Sequence, residues 1–191
     1  MSEPVLSICI CTLYERAGML AVLLRNLSEQ AEPFGDQVEI LVEADNREKT
    51  TGAKRNILYQ AAKGKYVCSV DDDDQVSPWY IEEILKAAER DPDAIAMNGT
   101  MTTDGGQPDT WNISLTNPYV TLYKSGGKKH YLRYHNHLSP IRRTAALQFP
   151  FPNKSFQEDY EFAKAIHDAR AIKTEVKIIP PMYHYKYVSV K

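Results

Sequence analysis

Residues 65–74 read KYVCSVDDDD, a short and largely apolar segment that runs directly into four consecutive aspartates. Such a segment is typical of a strand that is covered on both faces of a sheet. The carboxylates of Asp71–Asp74 repel one another by about 1 to 4 kcal/mol for each close pair. We therefore predict a buried strand whose end carries a site for a positively charged partner.

The flanking segments alternate between strand and helix patterns. Apolar runs predict two further strands before the acidic run, and amphipathic spacing predicts helices before and after it. This alternation is the signature of an open, mostly parallel α/β sheet flanked by helices, in which ligands bind at the carboxyl ends of the strands. The predicted strands are 5–11, 38–42 and 65–70, and the predicted helices are about 18–31, 53–62 and 79–90.

The second half of the sequence is less regular. Residues 98–156 combine paired glycines with aromatic stretches and predict a mixture of strands and loops. We expect all 191 residues to form one domain, because the length fits a single core and no linker composition interrupts it. The remaining predictions are a strand at 93–97, a helix at 158–169, a strand at 173–179 and a tyrosine-rich extended tail at 183–190.

The composition argues against membrane and secreted proteins. No apolar stretch approaches the roughly 20 residues of a membrane-spanning helix. Residues 1–4 lack the basic and apolar regions of a signal peptide, so we expect a cytoplasmic protein. Cys9, Cys11 and Cys68 lie in predicted strands and indicate reduced core residues rather than a disulfide or zinc framework.

The charge is distributed unevenly. Residues 110–157 contain no acidic residue and seven basic ones, which leaves 16 basic and 25 acidic residues for the rest of the chain. This asymmetry suggests two surfaces with different partners. The seven basic residues are Lys124, Lys128, Lys129, Arg133, Arg142, Arg143 and Lys154.

The order and spacing of several motifs resemble the family 2 glycosyltransferases of the GT-A fold, which are inverting enzymes. The resemblance covers most of positions 5–162. It implies a Rossmann-like GT-A sheet, a nucleotide-diphosphate sugar as donor, most commonly a UDP-sugar, a nucleotide-binding half at about 1–97 and an acceptor-binding half at about 98–191. The matching stretches are 7–16, 39–46, 52–56, 64–74 and Glu158-Asp159.

The resemblance also implies which residues contact the donor. The loop after the first strand supplies nucleoside contacts, as does an acidic residue, Glu43 or Asp45, at the end of the second. The sequence departs from the family here, because residues 43–46 read EADN in place of the commoner DDGS. The loop residues are Thr12, Leu13, Glu15 and Arg16.

Two cations, Lys54 and Arg55, lie near the predicted start of a helix, where the backbone dipole favours anions. They suit contact with the diphosphate or the base pocket. A solvated helix surface is the alternative.

The resemblance assigns Asp71 and Asp73 as the DxD pair, which would share Mn²⁺ or Mg²⁺ with the diphosphate. Asp73 would ligate the metal, and Asp71 would contact the metal or the ribose. Carboxylates at alternate positions project to one side if the strand continues through them. Asp72 and Asp74 are assigned to donor binding, with Asp74 facing the sugar; a solvated acidic loop that precedes a helix is the alternative.

Inversion requires a base that takes the proton of the acceptor hydroxyl. The family's ED motif assigns this role to Glu158-Asp159, with Asp159 as the base, although acidic residues also suit a helix N-terminus electrostatically. His184 is a candidate third metal ligand or an ordinary packed histidine. His135 and His137 suggest acceptor binding or structure.

The basic section from Lys124 to Arg143 mixes cations with aromatic rings. Such mixtures neutralise phosphates and stack bases, and some phage transferases that resemble this family glycosylate hydroxymethylated DNA bases. A nucleic-acid acceptor, in the host cytoplasm for a phage protein, is therefore one hypothesis. A section that folds over the donor, a glycan or small-molecule acceptor, and a non-catalytic binding module are the others.

Overall fold

Residues 3–189, the part of the chain that the computed structural model describes, form a mixed sheet with helices on both faces. The strands are β1 Leu6–Leu13, β2 Val38–Asp45, β3 Tyr66–Ser69, β4 Gln75–Val76, β5 Ala94–Thr103, β6 Asp109–Ile113, β7 Val120–Tyr123, β8 Lys129–Arg133, β9 Ile141–Arg142 and β10 Glu175–Tyr187. The helices are α1 Ala17–Ala31, α2 Thr51–Ala61, α3 Tyr80–Ala88, α4 Arg143–Ala146 and α5 Glu158–Asp168. Short 3-10 turns occupy Tyr14–Arg16, Glu32–Gln37 and Ser125–Gly127.

The predicted α/β sheet is confirmed. β1 pairs in parallel with β2 on one side and with β3 on the other, so the carboxyl ends of these strands meet at one edge. Antiparallel pairing enters beyond β3, where the strand order continues β9, β5, β6, β8 and β7. β5 crosses residue 97, where the two predicted halves meet, so both halves share this strand. The assignment of a single domain stays a prediction.

The two faces of the sheet explain why β1 is a continuous apolar run. Ile8 packs in a core cluster with residues of α1 and α3, whereas its neighbour Cys9 packs with residues of α2 and α5. Both side chains are fully buried because each face carries helices. All three cysteines are free. None of the helices within residues 3–189 has the length and hydropathy that a bilayer crossing requires.

β10 is longer than the sequence indicates. The predicted strand at 173–179 and the extended tail at 183–190 are one strand of 13 residues, which pairs in parallel with β5. Pro180 and Pro181 lie in its middle, and the strand register shifts between Lys177 and Tyr183. Residue 190 of the predicted tail lies outside the described residues.

The segment before α5 is packed against the start of α2. The Gly52 amide donates to the Lys154 carbonyl at 3.0 Å, and a Cβ at Gly52 would lie 1.9 Å from the Pro152 carbonyl oxygen. Thr50 caps the helix by accepting from the Ala53 amide at 3.1 Å. Only glycine permits this approach of the two segments, which fixes where α5 begins.

Candidate functional site

Two cavities open where β1 and β3 end. The polar cavity, defined by Thr12, Arg16, Lys54 and Asp71–Asp73, has a volume of about 550 Å³. The aromatic cavity, also of about 550 Å³, is defined by the rings of Trp111, Tyr119, Tyr131, Phe156, Tyr160 and Tyr185. The two cavities share wall residues, namely Arg55, Asp71, Ser155, Glu158 and Tyr185.

Two arginines form ion pairs with the first three aspartates of the acidic run. Arg55 Nη2 lies 2.9 Å from Asp71 Oδ1. Arg16 Nη1 lies 3.0 Å from Asp72 Oδ1, and Arg16 Nη2 pairs with Asp73. Burial raises the pKa of Asp71, but Arg55 and His137 together outweigh burial and hold that pKa well below its usual range. The protein therefore supplies cations to a run that the sequence suggested needed them.

The acidic run is a turn and not a continuation of β3. The strand ends at Ser69, and the Asp74 amide donates to the Asp71 carbonyl at 3.1 Å. Alternation along a strand therefore does not place Asp71 and Asp73 on one side, and that step of the prediction was wrong. Both side chains nevertheless line the polar cavity, together with Asp72.

Asp74 lies behind the cavities. Its buried carboxylate accepts from the Tyr183 hydroxyl at 2.7 Å and from the Lys186 amide at 2.7 Å. Burial and the neighbouring charge of Asp71 raise the pKa of Asp74 to about 8. Asp74 lines neither cavity. Its hydrogen bonds hold β10, and the structure does not support the prediction that Asp74 faces a donor sugar.

Arg55 bridges the acidic run and the first turn of α5. Besides Asp71, its guanidinium contacts Glu158 at 2.6 Å, and all but 3% of the Arg55 surface is buried. Glu158 is buried as well, whereas the side chain of Asp159 is 37% exposed and lines the aromatic cavity. The predicted pair is therefore divided, with Glu158 bound to an arginine and Asp159 turned toward open space.

The predicted nucleoside-binding residues are only partly brought together. Thr12, Leu13, Arg16 and Lys54 line the polar cavity. Lys54 is buried and donates to the Thr12 carbonyl at 2.7 Å while pairing with Asp45, so it is not a solvated helix residue.

The two acidic candidates on β2 lie outside the polar cavity. Asp45 also accepts from the amides of Arg47 and Lys49, and it lines a separate cavity of about 60 Å³ with Leu13 and Glu15. Glu43 pairs with Lys49 at 3.1 Å, and Glu15 pairs with Arg47 at the surface. Neither Glu43 nor Asp45 lines the polar cavity that contains Asp71–Asp73.

His184 faces away from the acidic run. Its Nδ1 lies 2.7 Å from the Thr100 hydroxyl and its Nε2 3.3 Å from that of Thr102. Strand alternation turns Tyr183 and Tyr185 toward the site and His184 to the opposite face of the sheet. Both ring nitrogens are thus occupied on a face without the DxD carboxylates, and the structure does not support His184 as a metal ligand.

The fit of a metal rests on Asp71 and Asp73 alone. Within residues 3–189, no three His, Cys, Asp or Glu side chains converge as ligands for an ion. The side chains of Asp71 and Asp73 are 28% and 40% exposed toward the polar cavity. A hard cation that is already bound to a diphosphate needs only one or two carboxylates from the protein. Asp71 and Asp73 therefore fit Mn²⁺ or Mg²⁺ that is bound to a diphosphate.

Three of the seven basic residues between positions 110 and 157 are engaged within the protein. Arg142 pairs with Asp91 at 2.7 Å, and Lys154 pairs with Glu161. Arg133 lies over the rings of Tyr119 and Tyr131, at 4.5 and 4.9 Å from their centroids. These three cations thus have partners within the protein, whereas Lys124, Lys128 and Lys129 lie together at the β7–β8 turn, where none of them forms an ion pair with another described residue.

The aromatic cavity is the part of the site that sequence reasoning missed. Its rings come from β6, β8, β10 and the start of α5, so no local motif marks them. The available signals were the aromatic stretches that contain Tyr119 and Tyr131 and the tyrosine-rich tail that contains Tyr185, but nothing in the sequence indicates that these rings meet. His137, on the segment between β8 and β9, also lies in this cavity.

Comparison with known proteins gives a consistent picture. The model of the family described as Glycosyl transferase family 2 matches residues 23–149. EpsH of Bacillus subtilis strain 168, assigned as a glycosyltransferase, is 26% identical over 189 residues, covering 86% of this chain and 51% of its own. The glucosyl-dolichyl phosphate glucuronosyltransferase of Haloferax volcanii is 28% identical over 106 residues, covering 54% of this chain and 34% of its own. The chain thus spans about half the length of the first of these relatives and about a third of the second.

Solved structures share the fold. TarS residues 1–349 of S. aureus in complex with UDP superimposes with a TM-score of 0.64 at 16% identity, covering 95% of this chain and 60% of that TarS fragment. Its complex with UDP-GlcNAc gives 0.63 at 15% identity, with coverage of 98% and 60%. The catalytic domain of Drosophila β1,4-galactosyltransferase 7 with xylobiose gives 0.55 at 16% identity, covering 93% and 68%.

Proposed function

Because this chain belongs to glycosyl transferase family 2, we propose that it moves a sugar from a UDP-sugar to the hydroxyl of an acceptor, with inversion and with help from a divalent metal. The observation that carries the proposal is the meeting of the polar and aromatic cavities at Asp71, Arg55, Glu158 and Tyr185. A transferase needs two ligands to meet at one point. This arrangement provides one cavity for each.

The polar cavity suits the donor. Thr12, Leu13 and Arg16 line one side of it for the nucleoside, and Asp71 and Asp73 face it from the acidic run. Support for UDP comes from the TarS complexes with UDP and UDP-GlcNAc. A cation held by Asp71 and Asp73 would supply positive charge for the diphosphate as it leaves.

Asp159 is the proposed base. Its carboxylate takes the proton of the acceptor hydroxyl, the oxygen forms a bond to the anomeric carbon, and the bond from that carbon to the diphosphate breaks. Glu158 is less suited to this role because Arg55 Nη1 holds its carboxylate at 2.6 Å. Glu158 therefore positions α5 while Asp159 meets the acceptor.

The aromatic cavity favours an acceptor with a hydroxylated ring. Aromatic rings stack against the faces of sugars, and here Phe156 is exposed and Tyr160 partly exposed, whereas Trp111 is buried at the base of the cavity. The cations near this cavity, Arg55 and Arg133, are bonded to partners in the protein. We propose a glycan or a small glycoside, in the cytoplasm. A hydroxymethylated DNA base would also stack here and is kept as the alternative acceptor, with the lysines of the β7–β8 turn as candidate phosphate contacts.

The proposal is tested by UDP release. Purified chain with Mn²⁺ is assayed with UDP-glucose, UDP-galactose and UDP-N-acetylglucosamine against a panel of methyl glycosides and disaccharides. We expect acceptor-dependent release, a loss of about 100-fold or more in kcat for Asp159→Asn, and near-normal activity for Asp168→Asn, an exposed control on the same helix. No release with any pair, together with no UDP binding by calorimetry, would contradict the proposal.

The metal and nucleic-acid parts have their own tests. Asp73→Ala is expected to weaken Mn²⁺-dependent UDP binding, whereas Asp36→Ala, at an exposed position, is not. Equal UDP affinity in Asp73→Ala and wild type, with or without EDTA, would refute the metal assignment. For the alternative acceptor, gel-shift titration against single-stranded DNA is expected to show no salt-sensitive complex between about 50 and 200 mM salt.

A further inference from the structure

His137 lies buried between two carboxylates of the site. Its Nε2 is 3.5 Å from Asp71 Oδ2, and its Nδ1 is 3.8 Å from Asp159 Oδ2. The residue is only 6% exposed, and neither ring nitrogen makes a hydrogen bond with any other described residue. A buried polar group without a partner costs about 1 to 3 kcal/mol, so this arrangement requires an explanation beyond packing.

The backbone holds this ring firmly. The His137 carbonyl accepts from the Ser69 amide at 2.6 Å and from the Tyr59 hydroxyl at 3.4 Å. Ser69 ends β3, two residues before Asp71. The imidazole is therefore attached to the same element that carries the acidic run, and its distance to Asp71 is fixed by the sheet.

Asp159 has no comparable support. Among the described residues, its carboxylate has neither a hydrogen bond nor another ion pair, in contrast to Glu158, which Arg55 holds at 2.6 Å. Asp159 lies in the first turn of α5 with its side chain 37% exposed. Within residues 3–189, His137 therefore makes the sole charged contact with this carboxylate.

We propose that His137 is a positioning residue that fixes the carboxylate of Asp159 relative to Asp71. The inference rests on the proposed function, in which Asp159 is the base and Asp71 belongs to the donor side. An N–H at Nδ1 donates to one oxygen of Asp159 and leaves the other oxygen to accept the acceptor's proton. The distance of 3.8 Å is longer than a hydrogen bond, and such catalytic contacts often shorten only when substrate is bound.

Three substitutions separate the two faces of the ring. The amide nitrogen of asparagine lies near the place of Nδ1, and that of glutamine near the place of Nε2. His137→Ala removes both. If His137 acts on Asp159, we expect His137→Ala to lower kcat about 100-fold, with the acceptor KM and the UDP affinity within about threefold of wild type, and His137→Asn to recover most of kcat while His137→Gln does not.

The assay uses acceptor-dependent UDP release from the full chain with Mn²⁺, calorimetric affinity for UDP, and the unfolding temperature of each variant. His130→Ala is the matched control, because His130 is half-buried in the β7–β8 hairpin, away from both carboxylates, with a single bond to Thr110. Its kcat is expected to stay unchanged.

Several outcomes would overturn the inference. Recovery by His137→Gln instead of His137→Asn, with weakened UDP binding in His137→Ala, would place the role on Asp71. Equal losses in all three variants with a lowered unfolding temperature would make His137 purely structural, and full activity in His137→Ala would remove any role. These results require active wild-type protein; a wild type that releases no UDP with any donor and acceptor, and that binds no UDP by calorimetry, refutes the proposed function and the inference with it.

Discussion

The guanidinium of Arg55 lies 2.6 Å from the carboxylate of Glu158, across 103 positions of sequence. The same guanidinium lies 2.9 Å from Asp71, so one buried cation joins the turn after β3 to the start of α5. Both proposed ligand sites therefore depend on the side chain of Arg55, which is bonded to carboxylates of the protein and is not assigned to either ligand.

Replacing Arg55 is expected to destabilise the protein strongly. Arg55→Met would leave Asp71 and Glu158 near each other without a counter-charge, a change that costs about 3 to 5 kcal/mol at a buried pair. Arg55→Lys keeps the charge but cannot reach both carboxylates with a planar fork, so we expect a smaller loss. Urea unfolding measures both, with Arg25→Met on the exposed part of α1 as the control. Unfolding free energies for Arg55→Met within about 1 kcal/mol of wild type would contradict the bridge.

The approach of α2 to the segment before α5 gives a glycine prediction. Gly52→Ala puts a methyl group 1.9 Å from the Pro152 carbonyl oxygen, and relieving such a clash costs about 1 to 3 kcal/mol. Gly18→Ala, where a Cβ meets nothing within 4 Å, is expected to stabilise helix α1 by up to about 1 kcal/mol. Opposite shifts in the thermal unfolding midpoint are the expected result. Shifts of the same sign would show that the close approach is absent in solution.

Tyr160 is expected to act on the acceptor and not on the donor. The ring lines the aromatic cavity and packs edge-on against Tyr119 at 4.8 Å between centroids. Losing one stacking surface costs about 1 kcal/mol, so Tyr160→Ala should raise the acceptor KM by about fivefold while calorimetric UDP affinity stays constant. Tyr123→Ala, 76% exposed on β7, is the control. A change in UDP affinity with an unchanged acceptor KM would reassign the cavity.

Glu175 predicts how stability falls in acid. Burial raises the pKa of this carboxyl, but the bond to His135, together with those from the Leu115 amide and the Ser114 hydroxyl, lowers it to about 2. The folded protein therefore binds this proton less readily than the unfolded chain. The stability that Glu175 contributes is full above about pH 5 and is lost as the pH falls toward 2.

Glu175→Gln should remove that part of the acid dependence. Its effect on the unfolding free energy is expected to be on the order of 2 to 3 kcal/mol at pH 7 and close to zero near pH 2. Glu29→Gln, at an exposed position of α1, is expected to leave the wild-type profile in place. Parallel profiles for wild type and Glu175→Gln in urea titrations between pH 2 and 7 would rule the assignment out.

The first half of the fold was predictable because its signals are local. β1, β2, α2 and β3 each coincide with a run or a spacing that one element produces by itself, and the edge where they end follows from parallel pairing. The acidic run was located correctly at that edge. Its turn conformation was not predicted, because four identical residues carry no pattern that would indicate the hydrogen bond from the Asp74 amide to the Asp71 carbonyl.

The second half depends on long-range pairing. β6 pairs in parallel with β8, and β10 returns from the end of the described chain to pair with β5. The strand predicted at 173–179 and the predicted tail are one strand, which passes through Pro180 and Pro181 with a register shift. The face of His184 follows from these pairings, so it was not available from the sequence.

Arg16 gives the acidic run an internal counter-ion. Its two terminal nitrogens pair with Asp72 and Asp73. The arginine thus reduces the repulsion between these carboxylates, which a bound metal ion would otherwise have to do. Folding is thus uncoupled from metal supply: dialysis against EDTA is expected to leave the unfolding temperature unchanged, and a fall of several degrees would refute this. A metal ion that arrives with the donor must replace Arg16 at Asp73. The affinity for the donor is therefore expected to depend on how easily the Arg16–Asp73 ion pair breaks.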